Sequence, residues 1–153
     1  MTAARGTSLN LTRSRLVERM AARFQPYAEA LLSATELRFD SRLRDSLPRG
    51  PGVYRVRRLD TPESESIYVG ESKDLRSRVW NDHVKGDKTG SALKRNLLRA
   101  RIVESEAAVL AFLQERCAVQ VLELRGVTRE RKLLEHYLVA LFAPELNDCW
   151  REG

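Results

Sequence analysis

Two prolines and two glycines fall within seven residues at Ser46-Leu-Pro-Arg-Gly-Pro-Gly52. No helix or central strand runs through such a stretch, because proline lacks the amide hydrogen and clashes with the preceding turn. The chain therefore divides into a helical arm, residues 1–47, and a domain, residues 48–153. Within the arm, Leu16, Met20, Phe24, Tyr27 and Leu31 recur at intervals of three and four residues, which makes one apolar helical stripe. Pro26 lies inside that stripe and predicts a kink, hence two short helices. The arm can pack on the domain, form a homodimer or grip DNA; packing is the default.

After the boundary the periodicity changes. Val53 to Arg57 and Ile67 to Gly70 read as two short strands joined by a polar loop, a hairpin with an extended connection. With Tyr54 opposite Tyr68, both phenol rings would leave one sheet face, since side chains alternate along a strand. Ser72 is the expected N-cap of a helix reaching Asp82 through Leu75, Arg78 and Val79. Gly86 and Gly90 bound a basic loop that reads as mobile. Helices are then expected over Ser91 to Arg101 and Ser105 to Glu115, a strand over Val119 to Leu124, and a last helix over Thr128 to Phe142, stopped by Pro144. The expected fold class is α+β, a small three-stranded antiparallel sheet flanked by helices.

A chain of 153 residues with 42% hydrophobic content can bury a core without disulfide or metal staples. Cys117 and Cys149 stand far apart with no Cys-x-x-Cys or Cys/His spacing, which speaks against a disulfide framework or a structural zinc site. No apolar run has the length of a membrane span or a signal-peptide core, so a cytoplasmic protein without a membrane partner is expected. Residues 72–101 carry nine basic against three acidic side chains, an excess equal to the net charge of the whole chain, +6. Basic strips of this kind bind phosphate backbones by displacing condensed counterions. Within it, Lys73, Arg76, Lys85, Lys88, Lys94, Arg95 and Arg99 are the candidate nucleic-acid contacts. Trp80 could stack on a base, although a tryptophan on an amphipathic helix is more often core.

There is no P-loop, no Gly-x-Ser-x-Gly elbow and no His-Glu-x-x-His. With His83 and His136 the only histidines, a histidine-rich metal site is excluded. Gly52-Val-Tyr54 followed by Tyr68-Val-Gly70 resembles the pair of tripeptides that names the GIY-YIG nuclease superfamily. Ser72-Lys-Asp-Leu75 with Arg78, then Glu135, then Asn147 after a proline, are similar to the family's arginine-bearing helix, metal-binding glutamate and terminal asparagine. The likeness covers roughly residues 48 to 148.

That resemblance implies a metal-dependent endonuclease, a DNA phosphodiester hydrolase acting in repair, restriction or defence. Glu135 would be the one protein ligand of Mg²⁺ or Mn²⁺, a number that suits a cation that keeps several waters. Tyr54 would be the general base and Tyr68 would position the water or a phosphate oxygen. A free tyrosine titrates near ~10, so Tyr54 needs a neighbour that eases loss of its proton. Arg78 would hold the scissile phosphate with its planar fork, and Asn147 would fix the loop beside the site.

Two departures from the family pattern stand out. A histidine or tyrosine is often found four residues after the arginine, whereas here that position is Asp82 and His83 lies five residues on. On a straight α-helix His83 would point roughly 140° from Arg78. Either the helix bulges and admits His83, or Asp82 merely pairs with Arg78. Glu71 stands where relatives often carry lysine; nearby Lys73 could substitute for it, or the carboxylate would instead repel phosphate or assist the metal. The alternative reading is a catalytically weak or inactive nucleic-acid-binding protein that keeps the fold; RNA as substrate is also compatible with the sequence.

Overall fold

The computed structural model describes residues 4–126 and 128–147, with side chains from residue 15 onward; Cys149 lies outside the described residues. Strand β2 (Gly52–Arg58) is the centre of the sheet. It pairs antiparallel with β3 (Tyr68–Ser72) on one side and with β4 (Cys117–Glu123) on the other. A fourth strand beyond the expected three, β1 (Leu37–Arg38), pairs Leu37 with Val119 and Arg38 with Ala118. Two residues are too few to show a period, so it left no mark in the sequence pattern.

Alternation along β2 sends Val53 to one face and Tyr54 and Val56 to the other, and both faces are covered. Val53 and Val69 meet Phe24, Ala28 and Leu31 of α1 (Ala4–Ser33) and Leu134 and Leu138 of α5 (Thr128–Phe142). On the opposite face Tyr54, Val56 and Val119 meet Leu75 and Val79, with Leu93 and Leu97 of α3 (Ala92–Arg99) and Val109 and Leu113 of α4 (Glu106–Arg116). Phe39, with Leu43 of α2 (Leu43–Ser46) and Leu47, belongs to that same core. Residues 37–47 thus contribute a strand and buried side chains to the sheet domain, although they precede the Pro/Gly turn.

The expected pair of N-terminal helices is one helix. α1 continues across Pro26, which is exposed and sacrifices one amide hydrogen bond, while Phe24, Ala28 and Leu31 are held on the sheet on either side of it. The Gln120 amide also donates to the Leu32 and Ala34 carbonyls at 3.0 and 2.6 Å, pinning the end of the helix. Of the expected stripe, Phe24 and Leu31 are buried, while Leu16, Met20 and Tyr27 are exposed.

Arg55 lies inside the central strand and is buried. Its guanidinium donates to Gln120 Oε1 at 2.6 Å, Ser66 Oγ at 3.1 Å and the Glu63 carbonyl at 2.7 Å, so it ties the β2–β3 connection to the sheet. Gly52 is required for a different reason: a Cβ there would sit 2.1 Å from the Leu122 carbonyl oxygen of the paired strand. Backbone held in a ladder cannot retreat that far. Gly52→Ala is therefore expected to destabilise the fold by about 1–3 kcal/mol or more, measured as a lower urea midpoint with unchanged slope.

Candidate active site

Tyr54 and Tyr68 do share a sheet face, but not as direct partners. Tyr54 pairs with Gly70, and Tyr68 with Val56. A register shift of two keeps every side chain on its face, and the rings lie 6.1 Å apart between centroids. The shift explains Gly70. A Cβ at that position would come within 2.5 Å of the Tyr54 ring and hydroxyl, so the glycine leaves the phenol room to lie across β3.

The segment after β3 holds the main surprise. Ser77–Lys85 forms a π-helix, with hydrogen bonds to the fifth residue instead of the fourth. Asp74 rather than Ser72 caps its start, since Asp74 Oδ1 accepts from the Ser77 amide at 3.0 Å while Ser72 ends β3. In the wider turn a residue five positions on returns to the same face. His83 thereby enters the site: its Nε2 lies 2.5 Å from Tyr54 Oη, and its ring stands edge-on to Tyr68 at 5.6 Å. Asp82 pairs with Arg78 at 3.0 Å, both half-exposed. The helix widens and admits His83, as one branch of the sequence alternative has it, and Asp82 also pairs with Arg78.

Beyond His83, Nδ1 lies 2.6 Å from Ser91 Oγ. That hydroxyl also accepts the Lys94 amide hydrogen as the N-cap of α3. Ser91 was legible as a helix start, but nothing in the sequence indicates that it touches the histidine.

Burial raises the Tyr54 hydroxyl well above its ordinary range; Tyr68 adds to the rise, as does Glu135, and Arg78 opposes it. Burial also lowers His83 to about 3, helped by Arg78 and Lys94. The two are a neutral phenol and a neutral imidazole at pH 7. Glu135 on α5 is raised by burial and then by Glu71, with His136 and Lys132 opposing. Glu71 is bonded to Arg131. Glu71 is half-buried on that arginine, and Lys73, two residues on, is exposed.

Asn147 grips the edge strand. Its Oδ1 accepts from Val69 N at 2.9 Å and its Nδ2 donates to Val69 O at 2.8 Å, as a neighbouring strand would. The clamped residue sits between Tyr68 and Gly70, so the asparagine positions both.

The basic strip is only partly a surface. Lys85, Lys88 and Arg99 are exposed, and Lys88, Arg95 and Arg99 line an open cleft of about 600 Å³. The 86–90 loop is tied by Asp87, which accepts from the Thr89 and Gly90 amides. Arg76 is half-buried and donates to the Leu47 carbonyl at 2.9 Å. Lys94 is buried, and its ammonium donates to the Val84 and Gly86 carbonyls at the end of the π-helix. It is a helix-end donor, not a phosphate contact. Trp80 packs against the core with Lys85 Nζ 5.6 Å over its ring.

No protein-family model matches the chain. Over 72 residues the chain is 41% identical to UvrABC system protein C of Koribacter versatilis (strain Ellin345), a match that takes in 44% of this chain. The chain spans about a tenth (11%) of that relative's length. Among solved structures, the GIY-YIG N-terminal endonuclease domain of UvrC from Thermotoga maritima bound to magnesium matches at 19% identity and a TM-score of 0.40, over 71% of this chain and 98% of that one. A point mutant of the same domain bound to its catalytic divalent cation matches at 20% identity and a TM-score of 0.41, over 71% and 97%. Among the described residues no helix is long and apolar enough to cross a membrane.

The depressed His83 has a consequence for stability. Below pH 6.5 the unfolded chain takes up a proton there that the folded chain refuses until about pH 3. Stability is thus fully present above pH 6.5 and lost as pH falls toward 3, by up to about 1.4 kcal/mol per pH unit. Urea unfolding at pH 7, 6 and 5 should show this decline, and His83→Gln should flatten it.

Proposed function

We propose that this chain, a member of the GIY-YIG superfamily, is a metal-dependent endonuclease that hydrolyses DNA phosphodiester bonds, with repair, restriction or defence as its setting. Residues 48–153 are read as the nuclease domain and residues 1–47 as an N-terminal arm whose end docks into it. The supporting observation is that Tyr54, Tyr68, Arg78, His83 and Glu135, drawn from two strands and two helices, act on one another in one place.

Glu135 fits a hard divalent cation. Its carboxylate is held in a half-buried position beside the like charge of Glu71, which a cation would relieve. Among the described residues no group of three or more ligating side chains is present, so a metal here would keep most of its waters, as Mg²⁺ does and Mn²⁺ can. Bound at Glu135, the ion would supply Lewis-acid stabilisation of a phosphoryl oxygen.

The remaining work falls to the chain's own side chains. Burial holds Tyr54 as a phenol at pH 7, so the working base is the fraction that has lost its proton to solvent. That phenolate takes a proton from the attacking water as the water oxygen bonds to phosphorus, and the leaving oxygen departs and takes a proton from solvent. A neutral imidazole at 2.5 Å lowers the cost of that phenolate in the dry site. Tyr68 orients the water or a phosphate oxygen from the same face. Arg78, half-exposed and paired with Asp82 among the described residues, can exchange that partner for the scissile phosphate, with two parallel donors aimed at its oxygens. Lys85, Lys88 and Arg99 hold the flanking backbone.

Labelled single-stranded, duplex and branched DNA with Mg²⁺, Mn²⁺ or EDTA tests the reading. Cleavage should require a metal and fall on the order of 10² or more in Glu135→Ala, with DNA binding retained. Binding without cleavage under every metal would leave the inactive nucleic-acid-binding reading in its place. Separately, Lys88→Ala with Arg99→Ala should lower the slope of log affinity against log salt by about 1–2, while Lys94→Ala should lower folding stability instead.

A further inference from the structure

Ser91 Oγ has two hydrogen-bond neighbours among the described residues, the Lys94 amide at 3.2 Å and His83 Nδ1 at 2.6 Å. The amide can only donate. The serine side chain is fully buried, and a buried hydroxyl hydrogen needs an acceptor. The one acceptor in contact is His83 Nδ1. A neutral imidazole carries one hydrogen, on one nitrogen or the other. If Nδ1 accepts, the hydrogen is on Nε2, and the group 2.5 Å from Nε2 is Tyr54 Oη.

We infer that Ser91 sets the tautomer of His83, donating to Nδ1 so that Nε2–H donates to Tyr54, and that His83 is a hydrogen-bond donor to the Tyr54 oxygen and not the acceptor of its proton. The opposite tautomer would place two donors, the Lys94 amide and Nδ1–H, on a hydroxyl whose own hydrogen then has no acceptor. The low affinity of His83 for a second proton, caused by burial, Arg78 and Lys94, keeps the choice between two neutral forms. For catalysis the inference rests on the proposed nuclease activity: a phenolate at Tyr54 gains a charge-assisted hydrogen bond from Nε2–H, and the phenol's hydrogen is turned away from the histidine. Ser91 and His83 are in this sense positioning residues.

The test begins without DNA or metal. Nitrogen-15 NMR of the imidazole at pH 7 should show His83 protonated at Nε2 in the native chain and in Ser91→Thr. In Ser91→Gly, which costs the α3 cap only a little, the Nε2–H fraction should fall. A native spectrum with the hydrogen on Nδ1 overturns the inference outright, whichever variants fold. On a cleaved DNA substrate, Ser91→Gly should lose about tenfold in kcat with KM unchanged, and Ser91→Thr should restore it. Native kcat in Ser91→Gly would overturn the catalytic part. If the native chain cleaves nothing, the nuclease reading fails, and the spectrum still decides the tautomer.

Discussion

The wide turn over Ser77–Lys85 is what the site depends on. One added residue per turn lets Arg78 and His83, five positions apart, serve the same place. Asp82, four positions from Arg78, pairs with it as it would on an α-helix. A π-helix is not held by its own hydrogen bonds as well as an α-helix is, so its persistence needs anchors outside it. They are present at both ends. Asp74 caps the start and Arg76 holds the Leu47 carbonyl; Leu75 and Val79 are buried in the core. Lys94 reaches from α3 to the carbonyls at the far end, and His83 is gripped between Tyr54 and Ser91. A buried lysine is costly unless its hydrogens are accepted, and here those acceptors are the end of the strained element.

The sheet supplies the other half of the placement. β2 is central and rigid, so Tyr54 has little freedom. β3 is an edge strand, which would be the softer partner. Asn147 removes that softness by completing both backbone bonds of Val69, and Leu146 donates to the Ile67 carbonyl at 2.8 Å just before it. Asn96 in turn donates to the Leu146 carbonyl at 2.7 Å. The tail of the chain thus reaches the helix that also carries Ser91 and Lys94, and one short helix braces both sides of the site.

Much of this was legible. Period-two alternation placed Tyr54 and Tyr68 on one face, and the last helix ran over Thr128–Phe142 as its pattern and Pro144 imply. Register was not legible, because a nine-residue connection leaves a shift of two open and such a shift preserves the hydrophobic pattern. The π-helix was not legible either: residues 77–85 contain no glycine or proline to announce it, and what holds it is tertiary anchoring by Asp74, Arg76 and Lys94. Counting charges found the basic strip but could not tell Lys94, turned inward to carbonyls, from Lys88, turned outward. Pro26 misled because local propensity predicts a break, whereas packing of Phe24, Ala28 and Leu31 keeps the helix whole.

Charge in the site is sorted by burial and by pairing. At the bottom, burial drives Tyr54 and His83 to their neutral forms. The charged groups around them are mostly matched: half-exposed Arg78 with Asp82, and Glu71 with the buried Arg131. Glu135 is left, among the described residues, without a lysine or arginine in hydrogen-bond contact. That division follows from the glutamate at position 71. By holding Arg131, Glu71 keeps the nearest guanidinium on α5 off Glu135, and by its own charge it makes the Glu135 carboxylate costlier to ionise. The first effect leaves Glu135 without that guanidinium, and the second raises its affinity for any positive charge, a proton included. Glu71 thus shapes the electrostatics of Glu135 from behind, through Arg131 and through its own charge.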